Sequence, residues 1–245
     1  SFMKGKIRSY GVSDDFFMYD DSPSARVGIY YYENGAYPRK PKVIYDRANS
    51  SFYSLKIDEI PEKAYTASRC FHTSGITLAL SPKVRETTIE MIKRFKAAGT
   101  LVSFDVNFRG NLWTGEEAKE CIEQILPYVD IFFCSEDTAR LTFKKTGTAR
   151  EMMKSFTEEY PISIVASTQR IVHSPKSHTF GSIIYDARKD IYYEEEPYRD
   201  IDVVDRIGSG DAYISGALYG LLTSDFDCEK AVRYGNATSA VKNTI

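Results

Sequence analysis

Residues 205–213, DRIGSGDAY, combine glycines, a serine and an aspartate in an arrangement that suits phosphate chemistry. They follow an extended run at 201–204 and lead into an apolar helix pattern that begins near Asp211. Two glycines allow a tight turn, and the first amides of a helix lack partners and are partly positive. Such a turn can bind a phosphate, and Asp211 beside it can accept the proton of an attacking hydroxyl. The stretch therefore predicts a phosphoryl-transfer site.

The tetrapeptide GSGD at 208–211 also has a simpler explanation, as a turn in which Asp211 caps the next helix. Its longer context, from Val204 to the small pair Gly216-Ala217, resembles the C-terminal signature of the ribokinase-like (PfkB) carbohydrate kinases, usually DTTGAGDAF. Arg206-Ile207 stands where that signature commonly has Thr-Thr, and this substitution is similar to the 2-keto-3-deoxygluconate kinase branch. The resemblance favours a functional turn over a simple cap.

The resemblance implies that ATP with Mg²⁺ phosphorylates the primary hydroxyl of a keto-deoxy acid sugar. It also implies that Asp211 is the base and that the amides of Gly208, Ser209 and Gly210 form the anion hole. The sequence contains no Walker loop, so the phosphate site depends on this glycine turn. Two alternatives remain: a fructokinase or ribokinase that acts on a neutral sugar, and a non-catalytic homologue that binds a sugar.

Composition places limits on the partners of this 245-residue chain. Its net charge of −2 provides no basic field for nucleic acid. Four scattered cysteines without a Cys-x-x-Cys pair predict reduced thiols, as in the cytosol. No stretch resembles a membrane span or a signal peptide. We expect a cytoplasmic protein that binds small molecules.

Strand and helix patterns alternate from Tyr65 onward, which predicts a mostly parallel sheet with helices on both faces. Residues 171–178 are polar and are predicted to form a loop. Ligands bind at the carboxyl ends of strands in such folds. The predicted strands are 26–32, 42–47, 67–71, 100–104, 130–134, 162–166, 179–187 and 190–196, and the predicted helices open at Pro82 and span 116–128, 136–143 and 149–159.

The resemblance covers nearly the whole chain and implies one ribokinase-like α/β domain at 1–245, with a Rossmann-like sheet and a small β lid. A helix at 1–10 that ends at Gly11 has no cap before its first apolar residues. Another helix, which starts near Cys228, is still running at Ile245. We therefore expect the N-terminal part and the C-terminal end of the domain to be missing from this sequence.

Residues 26–55 form a hairpin pattern around the turn signal Glu33-Asn34-Gly35, with too little apolar content for a core of its own. A lid, an edge for oligomer formation and an ordinary surface hairpin all fit this pattern. The resemblance favours the lid, because Tyr30, Tyr45 and Arg47 occupy positions that contact an acid sugar in deoxygluconate kinases. Arginine holds a carboxylate with two parallel hydrogen bonds. We also expect a homo-oligomer formed through this hairpin.

A polar cluster, Asp105, Asn107 and Arg109, directly follows a buried strand. Its single fixed cation suits a phosphate or a carboxylate, although an ion pair between Asp105 and Arg109 is an alternative. The pattern D-x-N-x-R-x-x-L-W at 105–113 resembles the deoxygluconate kinases. The resemblance implies that Arg109 lies between the substrate and the nucleotide phosphates, contacts both, and stabilises the transferred group.

Ser135 and Thr138 stand where the family usually has Asn-x-x-Glu, which orders water and Mg²⁺. Ser135 is a candidate nucleotide contact, or simply a helix cap, and which acid replaces the glutamate stays open. Ser167 and Thr168 end the next strand, where the family contacts nucleotide phosphates or ribose. Asn236 lies on a small-residue helix face that the family places against adenine, although close helix packing explains it equally well. No metal-ligating set is predicted.

Overall fold

Strands and helices alternate along most of the computed structural model, which describes residues 2–33, 35, 38–39 and 41–245. In chain order its elements are α1 (Phe2–Ser9), β1 (Ile29–Glu33), β2 (Lys42–Asp46), α2 (Glu62–Ala67), β3 (Cys70–Ser74), α3 (Gly75–Ala79), α4 (Pro82–Ala97), β4 (Leu101–Asp105), α5 (Gly115–Glu123), β5 (Ile131–Phe133), α6 (Glu136–Leu141), α7 (Ala149–Glu159), β6 (Ile164–Ser174), β7 (Ser177–Asp186), β8 (Ile191–Glu194), β9 (Tyr198–Asp202), α8 (Ser209–Thr223) and α9 (Cys228–Asn243).

One sheet contains β3 to β9, in the order β3-β4-β5-β6-β7-β8 with β9 also paired to β7. Strands β3 to β6 run parallel, and the pairs that β7 makes are antiparallel. Helices cover both faces of this sheet, as β5 illustrates. Phe132 packs into one apolar cluster, whereas Ile131 and Phe133 pack into the other. Successive side chains of a strand point to opposite faces, so an all-apolar strand is buried on both sides.

The predicted mostly parallel α/β sheet is confirmed, but several boundaries were wrong. Ala67 ends helix α2, and β3 begins only at Cys70. The predicted loop at 171–178 is instead the tip of a hairpin, because β6 continues to Ser174 and β7 starts at Ser177. Its side chains are mostly exposed, so they are polar, yet the antiparallel ladder satisfies the backbone. Polarity alone therefore suggested a loop.

A separate two-stranded antiparallel sheet, β1 paired with β2, forms the lid hairpin. Its register places Tyr30 opposite Tyr45. Arg26 binds the end of the hairpin, since its guanidinium donates to the carbonyl oxygens of Ala48 (2.8 Å) and Asp46 (3.0 Å). The predicted turn includes Asn34, which lies outside the described residues.

The cysteines are free thiols, three of them buried. Among the described residues, no helix combines the length and the apolar character needed to cross a membrane.

Candidate active site

A cavity of about 760 Å³ lies between the lid hairpin and the start of α8, where several parallel strands end. The hairpin contributes Tyr30, Tyr45 and Arg47 to its wall. The predicted residues that line it elsewhere are Asp105, Asn107, Arg109, Ser135, Thr168, Gly208, Ser209, Gly210 and Asp211. Residues far apart in the sequence thus meet at one edge of the sheet, as the parallel topology requires.

The glycine turn forms the start of α8, which begins at Ser209, two residues earlier than predicted. Gly208 is the N-cap and has a left-handed backbone, with φ 78° and ψ 6°, which glycine adopts without steric cost. Asp211 lies in the first turn and faces the cavity. The simpler explanation, in which Asp211 is the cap residue, is therefore wrong.

The amides of this turn are not equivalent. Ser209 donates its amide hydrogen to the carbonyl oxygen of Arg206 at 3.2 Å, so that donor is already used. In the described part of the chain, the amides of Gly208 and Gly210 donate no such bond. A side-chain carbon added at Gly210 would meet no protein atom within 4 Å, so the backbone is open to a ligand there. Of the three amides predicted to form the anion hole, only those of Gly208 and Gly210 therefore remain available to a ligand.

Two carboxylates, Asp105 and Asp211, share this cavity and also line a neighbouring one of about 450 Å³. Asp105 accepts a hydrogen bond from the amide of Asn107 at 3.1 Å. The pKa of Asp105 is raised to about 7, mainly by burial and also by the charge of Asp211, against the opposing effects of the Asn107 hydrogen bond and the Arg109 charge. Among the described residues, Arg109 makes no ion pair with Asp105 and bonds the Phe108 carbonyl instead (3.2 Å). The salt-bridge alternative was therefore wrong.

Four arginines without an ion pair within the described chain line the cavity: Arg47, Arg109, Arg170 and Arg206. The charged side chains that face them across the lining are the two aspartates. The cavity is therefore positive although the whole chain has a net charge of −2. Such a site suits anionic ligands.

Two further cavity residues, Arg170 and Arg206, were not predicted as site residues. A signal for Arg170 existed, because side chains alternate along a strand. Ala166, Thr168 and Arg170 all line the cavity from β6. The same alternation turns Ser167 away, and it is buried with a hydroxyl that has no hydrogen-bond partner in the described residues. Ser167 therefore does not contribute to the cavity wall.

Of two further predicted nucleotide contacts, Ser135 lines the cavity and Asn236 does not. Ser135 caps α6, accepts from the Thr138 amide at 3.3 Å, and still lines the cavity with Thr138. Asn236 is 1% exposed, and its side-chain oxygen accepts a hydrogen bond from the Ser182 hydroxyl at 2.7 Å. Asn236 thus lies in the packing between α9 and β7 and does not line the cavity, which supports the packing explanation.

A mostly parallel sheet with helices on both faces, a small β lid and an aspartate beside a glycine turn are the features of the ribokinase-like class of sugar kinases. The chain belongs to the pfkB family of carbohydrate kinases, whose pattern it matches over residues 1–244. Members of this family are phosphotransferases that act on an alcohol group, and this chain is one of them.

Individual proteins show the same similarity. The 2-dehydro-3-deoxygalactonokinase of Haloferax volcanii is 34% identical over 240 residues, which cover 98% of this chain and 71% of that protein. The structure of a PfkB family carbohydrate kinase from Listeria grayi superposes with a TM-score of 0.90 at 30% identity and covers 100% of this chain and 75% of that one. For the 2-dehydro-3-deoxygluconokinase of Thermotoga maritima the TM-score is 0.89 at 29% identity, with coverage of 98% and 73%.

Proposed function

We propose that this kinase transfers the γ-phosphoryl group of ATP to the primary hydroxyl of a 2-keto-3-deoxy acid sugar, most simply 2-keto-3-deoxygluconate. The observation that carries the proposal is the sharing of one cavity by Asp211, at the glycine turn, and Arg47, a cation without an ion pair in the described chain. An attacking hydroxyl needs a base such as Asp211, and a sugar carboxylate needs a cation such as Arg47. Two similar proteins named above also act, by their names, on keto-deoxy acid sugars.

The roles at the reacting end follow from charge and position. Asp211 accepts the proton of the attacking hydroxyl, and the Gly208 and Gly210 amides bind the oxygens of the transferred group. Arg109 lies after β4, lines the same cavity and stabilises the charge on that group.

The lid hairpin holds the acid sugar in this proposal. Tyr30 and Tyr45 are cross-strand neighbours with ring centres 6.3 Å apart, and both line the cavity. The Arg47 guanidinium stacks on Tyr45 and is free to bind a carboxylate with two parallel hydrogen bonds. A neutral sugar offers no group that would use this charge, which disfavours the fructokinase or ribokinase alternative.

The phosphates of ATP offer better ligands for Mg²⁺ than the side chains of this cavity do. Mg²⁺ prefers oxygen ligands, typically one or two carboxylates together with substrate phosphates and water. Ser135 and Thr138 offer only hydroxyls, which lie 2.9 Å apart and bond each other. Glu136 pairs with Arg140 at 2.8 Å, and within the described ranges no three His, Cys, Asp or Glu side chains converge on a metal position. We therefore assign no magnesium site to the protein itself and propose that Mg²⁺ arrives with ATP.

The second face of the lid hairpin supports the proposed homo-oligomer. Tyr31 and Ile44 are paired on the face opposite Tyr30 and Tyr45, and they are 60% and 53% exposed. A second copy of the hairpin would cover this apolar face. Sedimentation of the protein and of Ile44→Lys tests this, and a monomeric unaltered protein would contradict it.

The free thiols support a reducing, cytoplasmic location.

The test of the kinase proposal is ATP consumption with 2-keto-3-deoxygluconate. Asp211→Asn retains the shape of the side chain and removes the base, so we expect turnover to fall by at least about a hundredfold. Normal turnover in this variant would contradict the base assignment. Absence of turnover by the unaltered protein with acid and neutral sugars alike would favour a non-catalytic sugar-binding homologue.

A further inference from the structure

Arg170 and Arg206 are two cavity arginines for which the proposed sugar and phosphoryl contacts provide no role. Arg170 extends from β6, and Arg206 lies in the loop between β9 and α8. Neither guanidinium makes an ion pair or a side-chain hydrogen bond with any described residue.

The two charges are close enough to oppose each other. Partial desolvation lowers the pKa of Arg170, and the charge of Arg206 lowers it further. Both arginines also lower the pKa of His178, which is buried on the neighbouring strand β7 and is already shifted by desolvation. Like charges held together without a counterion are destabilising, so this arrangement is expected to gain from an anion between them.

The positions of the arginines suggest an extended anion. Arg170 lies within β6 and Arg109 follows β4. Strand β5 lies between these two strands and adjacent strands are about 4.8 Å apart, so β4 and β6 place their arginines on strands about 10 Å apart. Thr168 lies on the same face of β6 as Arg170, and the glycine turn begins two residues after Arg206. A sugar carboxylate is a single compact charge and is already matched by Arg47. A chain of phosphates presents several charges in a row.

We propose that Arg170 and Arg206 form a clamp for the β- and γ-phosphates of the nucleoside triphosphate. This inference rests on the proposed kinase function. Ser135 and Thr138 provide no carboxylate that would hold a metal ion beside the phosphates, so the two arginines are assigned the neutralisation of the phosphate charge. Each planar guanidinium can hold two phosphate oxygens. The clamp orients the triphosphate so that its terminal phosphorus faces the hydroxyl held near Asp211.

The test is calorimetric binding of ATP and of AMP, without sugar, in the presence and absence of Mg²⁺. We expect Arg170→Gln and Arg206→Gln each to weaken ATP binding by about tenfold, as for loss of a charged hydrogen bond, and to leave AMP binding unchanged. Arg69→Gln is the matched control, because Arg69 also lacks an ion pair in the described chain but lies outside the cavity. It should bind both nucleotides normally.

Thermal unfolding without nucleotide separates binding from folding. Removing one of two repelling charges should leave the melting temperature of the free protein unchanged or raised. If a glutamine variant unfolds, Arg170→Met or Arg206→Met replaces it, because methionine retains much of the apolar stem. Unchanged ATP binding, or equal losses for ATP and AMP, would overturn the clamp alone. Failure of the unaltered protein to bind ATP would overturn both the clamp and the kinase proposal.

Discussion

The guanidinium carbon of Arg47 lies 4.0 Å from the centre of the Tyr45 ring. Cation and ring attract each other, so the aromatic face restrains a long side chain that makes no ion pair among the described residues. Both residues line the cavity. The tyrosine thus holds the charge of Arg47 at the cavity wall, so an anion bound to it there would cost less side-chain entropy.

We predict that Arg47→Gln discriminates between acid and neutral sugars. For 2-keto-3-deoxygluconate, kcat/KM should fall by about tenfold to a hundredfold, as for lost hydrogen bonds to a charged group. Fructose turnover, if measurable, should hardly change. Arg39→Gln is the control, because Arg39 lies in the same hairpin and pairs with Glu33. Equal losses for acid and neutral sugars in Arg47→Gln would contradict the acid-sugar assignment.

Gly210 and Gly208 should respond differently to alanine. At Gly210 the new methyl group meets no protein atom, and alanine favours helix, so stability should stay the same or rise by up to about 1 kcal/mol. The methyl group would nevertheless block a phosphate, and kcat/KM should fall by about tenfold to a hundredfold. At Gly208 the positive φ should cost about 1–2 kcal/mol of stability. Denaturant titration and assays of both variants test this, and full activity in Gly210→Ala would exclude close approach of a phosphate.

Asp105 should make stability depend on pH. Its pKa is about 7 in the folded protein, whereas an aspartate in the unfolded chain has a pKa near 4. The folded state therefore holds an extra proton between these values. The stabilisation is complete below about pH 4 and is lost as the pH rises toward 7, with a slope of up to about 1.4 kcal/mol per pH unit.

Denaturant unfolding of the unaltered protein and of Asp105→Asn, measured between pH 4.5 and about 7.5, isolates this contribution because other groups titrate in both proteins. The variant should lack the decline that Asp105 causes. Identical pH profiles for the two proteins would show that Asp105 has an ordinary pKa.

Gly220 lies where α8 and α9 pack closely. A side-chain carbon added there would lie 2.6 Å from the Cα atom of Ala231. We therefore predict that Gly220→Ala lowers the free energy of unfolding by about 1–3 kcal/mol or more, as for overpacking. Gly5→Ala, in exposed helix α1, has nothing within 4 Å and should be neutral or stabilising. A Gly220→Ala protein as stable as the unaltered one would mean that the helices separate at little cost.

Some local features could be recognised from the sequence. The glycine turn, the polar cluster after β4 and the lid tyrosines are short segments whose residue types and spacing led to the proposed site, and all of them line the cavity. The helix at 149–159 was predicted with the bounds Ala149–Glu159 that the structure has, because a Thr148 capping box precedes a regular apolar stripe. Such features depend on neighbours within a few residues, which a sequence contains.

Only the tertiary structure decided which side chains reach the cavity. Ser167 and Thr168 are adjacent in sequence, yet Thr168 lines the cavity and Ser167 does not, because a strand points them to opposite faces. Asn236 became a packing residue through its bond to Ser182, which is 54 positions away. Arg170 and Arg206 line one cavity because β6 and the loop before α8 converge in space. The sequence by itself therefore determined the family and the residues proposed to react, while long-range packing determined the shape and charge of the cavity around them.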